Sequence, residues 1–135
     1  MARKYSFYAK YEMTKEERES AYWYAMRYNK WRAEYNALAD TSKTIQYSDM
    51  PKGSLNVESP VERAAIRREE LGAKIKLIEQ TAIAASPELY QYILFAVTNK
   101  RTSFAYLQSM MNIPCDKDTY YEARRRFYYY LAQYI

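Results

Sequence analysis

Repeated capping signals mark where helices begin, and they constrain the fold of this chain more than any other feature. In "TKEE" (residues 14–17) the Thr14 hydroxyl can accept from the backbone three residues on, while Glu17 reaches back. "SPVE" (59–62) repeats the device and adds Pro60 at the first helical position, where a missing N–H leaves no bond unmade. "SPE" at 86–88, Thr102 or Ser103, and "TYYE" at 119–122 supply further starts. Five starts predict five helices. Only two glycines and four prolines punctuate the 135 residues, too few for a many-turned β protein.

The first long helix is expected over residues 15–39. There Tyr24, Tyr28, Trp31, Tyr35 and Leu38 recur at alternating steps of four and three, the seam of paired helices. Residues 60–85 carry the same rhythm in Val61, Ala64, Arg68, Leu71, Ile75, Ile78 and Ala82. Two seams of similar length predict an antiparallel helical hairpin. Arg68 interrupts the second, and its long stem favours snorkelling past the seam over pairing with an acid. Trp23, Ala25, Leu77 and Ile83 lie off the seams and are available to a second copy of the chain. Between the helices, residues 40–59 are polar and turn-rich with a basic tip in "MPKG", and read as a flexible loop.

After Ser86 the segments shorten. Leu89, Tyr90, Ile93, Leu94 and Val97 form one apolar face, and Phe104, Leu107 and Met111 another. "NIPCDK" is a turn in which Asn112 tolerates a left-handed backbone. A longer helix closes the chain, with Tyr120, Ala123, Phe127, Leu131 and Tyr134 as its core stripe. Glu122, Arg125, Arg126 and Tyr129 fall on its opposite side, Arg124 at the boundary, and Lys117 and Thr119 at its leading end. Helix, short helix, turn and basic helix make a helix-turn-helix pattern, in which the second helix enters the major groove. A solvated arginine face complementing the helix dipole is the competing reading of "RRR" alone; the short helix and turn before it shift the balance to nucleic acid.

The chain is therefore expected to be all-α: a long helical hairpin (1–85, with loop 40–59) followed by a three-helix DNA-binding unit (86–135). Arg125 and Arg126 are expected to meet bases or phosphates, supported by Lys117, Thr119, Tyr121, Arg124 and Tyr129. Lys100 and Arg101 would clamp backbone beside the preceding turn. The net charge of +5 suits a polyanion partner. With no histidine and one cysteine, Cys115, disulfides, His-based catalysis and Cys/His zinc sites are excluded. Glu16, Glu17, Glu19, Glu69 and Glu70 sit at caps or in "RREE", where intrahelical pairing explains them. No enzyme and no cofactor are expected. Neither a membrane span nor a signal peptide is read, so a cytosolic location follows.

Two stretches carry a resemblance. "YSDMPKGSLNVESPVERAAIRREEL" is similar to a segment between two long helices in small proteins of bacteriophages and prophages of low-GC Gram-positive bacteria. "IPCDKDTYYEARRRFYYYLAQYI" resembles the end of RinA-like phage transcriptional activators, whose last helices are similar to the DNA-binding region of sigma factors. The resemblance implies a regulator of phage late genes that binds double-stranded DNA in a bacterial host cell, with contact to RNA polymerase left open; the helical seams and off-seam residues point to a homodimer. The proline-bearing turn is longer than sigma-like proteins usually carry. Two other functions fit the same residues: a protein-interaction module using the tyrosine-rich helices, and a small terminase-like packaging subunit that forms rings.

Overall fold

The computed structural model describes residues 11–45 and 59–135; the side chains of 40–45 lie outside that description. Every regular element among the described residues is helical: α1 (Lys15–Met26), α2 (Tyr28–Ile45), α3 (Pro60–Ala85), α4 (Tyr90–Thr98), α5 (Phe104–Met111) and α6 (Lys117–Ala132). They gather into two compact units, one of residues 11–27 and 77–135, the other of 28–76 within the described range. The boundaries of these units fall after Arg27 and after Lys76, within α3.

The caps form as the side-chain chemistry dictates, with one exception. Thr14 and Glu17 exchange hydrogen bonds of 3.0 and 3.1 Å, and Ser59 accepts from the Glu62 N–H at 3.0 Å. Ser103 accepts from the Tyr106 N–H and starts α5. Ser86 accepts from the Leu89 N–H, but this closes a turn, and the regular helix begins only at Tyr90. The exception is "TYYE". Asp116, not Thr119, caps α6 by accepting from the Thr119 N–H at 3.3 Å. A carboxylate offers a better acceptor to a positive helix end than a hydroxyl, and it wins three residues earlier.

The expected single helix over 15–39 is two helices, and the second runs on to Ile45. Arg27 takes φ −85° and ψ −5°, and its N–H bonds three residues back to the Tyr24 carbonyl at 3.2 Å. This tightened turn has no glycine or proline to announce it. Residues 40–45 of the expected loop are thus helical, while its remainder, 46–58, lies outside the described residues.

In the unit of residues 28–76, side chains of α2 and α3 meet in antiparallel order. Lys74 stands over the Trp31 ring, the Tyr35 ring lies beside Gly72, and Arg67 binds Glu34 at 2.8 Å. A Cβ on Gly72 would sit 3.2 Å from the Tyr35 ring, so glycine permits this close approach. Arg68 does not snorkel freely, and among the described residues its partner is a ring, not an acid: its guanidinium lies 3.9 Å from the centre of the Tyr35 ring. Tyrosine's negative π face replaces the carboxylate that a pairing argument looks for.

In the other unit α1 packs on α4 and α6, and α4 packs on α6. Ala21 and Ala25 are fully buried, so α1 approaches closely through its smallest side chains. Ala25 is accordingly core and unavailable to a second copy, whereas Trp23 stays half exposed with the Lys100 ammonium 5.4 Å above its ring. Ile93, Val97, Leu107, Tyr120, Ala123, Phe127 and Leu131 complete the core. One core assignment on α6 changes: Tyr134 lies past the end of the helix and is 72% exposed. Tyr128, outside the expected stripe, joins the core at 8% exposure.

Candidate nucleic-acid interface

Geometry begins at the turn between α5 and α6. Asn112 adopts φ 52°, and the N–H groups of Asn112 and Ile113 both return to the Leu107 carbonyl. Asparagine accepts this left-handed state more readily than most residues. Ile113 is buried beneath the turn and fixes it to the core. Cys115 follows, half-buried; burial first, then the charge of Asp116, pushes its thiol pKa up, away from thiolate chemistry.

Asp116 then caps α6, and the leading turn of the helix carries Lys117, Asp118 and Thr119 in solvent. The Thr119 hydrogen bond holds the Asp116 carboxyl below its usual pKa, as Thr14 does for Glu17. A depressed carboxylate stabilises the fold above its unfolded pKa, and that contribution is lost as pH falls through the lower folded value. The thermal midpoint is therefore expected to drop as pH falls below about 4. Asp116→Asn keeps the acceptor and should flatten part of that acid limb in a melting series; an unchanged acid limb would contradict the assignment.

One turn earlier, Arg101 adopts φ 64° without being glycine. A left-handed arginine costs ~1–2 kcal/mol relative to a relaxed backbone. Lys100 and Arg101 are both exposed on this α4–α5 turn, which the Thr102 hydroxyl secures by donating to the Asn99 carbonyl at 2.9 Å. Strained non-glycine residues concentrate at functional sites.

The expected arginine set divides. Arg126 does not face outward: its Nε–H donates to the Ala85 carbonyl at the end of α3 at 2.8 Å, and it pairs with Glu122 at 3.4 Å. An orphan carbonyl at a helix C-terminus is a strong acceptor for a guanidinium, and only tertiary structure brings Ala85 within reach. Arg126→Ala should lower stability by ~1–3 kcal/mol, and Arg126→Lys by less, measured by urea unfolding. Tyr129 packs edge-on against Tyr11, with ring centres 5.6 Å apart, instead of standing free.

Arg124 and Arg125 are half-buried and line a groove of about 660 Å³ between α6 and α1 with its preceding residues. Arg18, Glu12 and Glu19 contribute from the α1 side, and Tyr11, Tyr22, Tyr121 and Tyr128 give it aromatic walls. The Arg124 guanidinium lies 5.7 Å from the centre of the Tyr128 ring. Burial pushes the Tyr128 and Tyr120 hydroxyls to higher pKa, opposed by the Arg124 charge. Tyr121 stacks edge-on against Tyr120 at 4.8 Å and links the groove to the leading end of α6. Sequence periodicity missed this groove because its second wall is a helix about a hundred residues away in the chain.

Across residues 11–27 and 77–135, Lys and Arg are matched in number by Asp and Glu, so the net charge of +5 is carried elsewhere. Attraction for an anion in this unit is local, at the two turns and the groove. Among the described residues there is no cluster of three or more metal-binding side chains and no helix long and apolar enough to cross a membrane. No family model matches the chain, and neither does a curated protein or a solved structure.

Proposed function

We propose that this chain binds double-stranded DNA sequence-specifically, with the leading end of α6 in the major groove, and regulates phage or prophage genes. The observation that carries the reading is the exposed first turn of α6, with Lys117 and Thr119 in solvent after a left-handed turn at Asn112. Because the Asp116 carboxylate already caps this helix end, the side chains of Lys117 and Thr119, not free N–H groups, would meet phosphate or base edges. Lys100 and Arg101 flank it, while Tyr121 and Arg125 line the groove against α1 and leave the proposed contact set. Arg126 and Tyr129 leave the proposed contact set, being occupied within the unit. Regulation of phage genes rests on the sequence resemblance alone.

Selection from a pool of randomised duplexes tests the reading. A single enriched site is expected, as an inverted repeat where two copies bind. Recovery of a pool with the input composition would overturn sequence-specific binding, and a ring-sized mass by light scattering would favour a packaging subunit instead.

A further inference from the structure

The groove between α1 and α6 is a concave feature that DNA binding at the leading turn of α6 does not use. A duplex cannot enter it: about 660 Å³ is the size of a small-molecule or side-chain site, whereas B-DNA presents a backbone and grooves several times wider. Its chemistry is selective. Three arginines, Arg18 from one wall and Arg124 and Arg125 from the other, line it, and guanidinium groups pair with carboxylates in a fork geometry. Between them lie the rings of Tyr22, Tyr121 and Tyr128, a surface suited to an apolar or aromatic side chain. Tyr128 is more than nine-tenths buried in the groove wall, and its hydroxyl has no hydrogen-bond partner among the described residues. A buried hydroxyl of this kind is satisfied when an acceptor arrives beside it.

We propose that this groove docks an acidic peptide segment of a partner protein, one carboxylate pairing with the arginines and a neighbouring aromatic side chain seated among the tyrosines. Charge complementarity selects this occupant. Glu12 and Glu19 at the α1 wall oppose a continuous polyanion such as single-stranded DNA. A peptide can place one carboxylate opposite the arginines and leave the glutamates facing its uncharged parts. The site is distinct from the leading turn of α6, so DNA and peptide would bind the same unit together.

The probes are three fluorescent 12-residue peptides in which one phenylalanine is flanked by glutamates, by glutamines or by lysines, together with a labelled oligothymidylate. Anisotropy with the full chain is expected to show the glutamate peptide binding at least tenfold tighter than the glutamine peptide, with no binding of the lysine peptide. Arg18→Glu reverses a charge on an exposed α1 position outside the proposed DNA contacts. It should abolish peptide binding while leaving circular dichroism and duplex binding unchanged. Equal binding of the three peptides, undiminished binding to Arg18→Glu, or preferential capture of the oligothymidylate through Arg18 would each overturn the proposal. Because duplex binding is read separately, its failure would not be confused with failure here.

Discussion

Phe127→Ala is expected to unfold a large part of the chain's stability, about 3–5 kcal/mol, the usual cost of deleting a fully buried aromatic side chain. Phe127 is 0% exposed and lies on α6 between Ala123 and Leu131, facing the contacts with α1 and α4. A single domain has only about 5–15 kcal/mol in reserve, so the variant should populate unfolded chain near body temperature. Tyr120→Phe is the control. Tyr120 is equally buried, but its hydroxyl has no hydrogen-bond partner among the described residues. Removing it preserves the ring contacts with Phe104 and Tyr121 and relieves a desolvated polar group. That variant should be neutral or slightly more stable in urea unfolding. Comparable losses from the two would mean that the Tyr120 hydroxyl has a role this account denies it.

The second large effect concerns DNA. Lys100→Ala/Arg101→Ala should weaken duplex binding by about 50–100-fold at 0.1 M salt, because each phosphate contact contributes close to 0.9 log unit per decade of salt. Loss of fold is separable from loss of binding through Arg101→Gly. Glycine adopts φ 64° without strain, so this variant should be as stable as the parent or about 1 kcal/mol more so. It should nevertheless lose one phosphate contact. Weakened binding in a chain that melts no earlier than the parent would assign the strained arginine to the interface.

How much of this could be read from residues alone depends on the range of the interactions involved. Local signals served well: the Thr14 and Ser59 caps, the apolar faces of α4 and α5, and the left-handed Asn112 all depend on neighbours within a few residues. The all-helical class follows from the same signals. Long-range partners were invisible. Arg126 looked like a surface charge because the Ala85 carbonyl that holds it is 41 residues away. Arg68 looked like a snorkelling charge because its partner is an aromatic ring on another helix. Tyr134 left the core because α6 ends at Ala132, which a repeating stripe cannot foresee, and Tyr128 is buried beside Tyr22 of a distant helix. The groove needed both of its walls before it could be recognised.

The most direct measurement of the central claim is duplex binding across a salt series, from about 50 to 500 mM, on the enriched duplex for the parent and for Lys100→Ala/Lys117→Ala. Three phosphate contacts predict a log–log slope of about −3 for the parent, falling to about −1 when two are removed. Binding that ignores salt, or a double variant with the parent's slope and affinity, would contradict the claim that the leading end of α6 and the α4–α5 turn meet DNA.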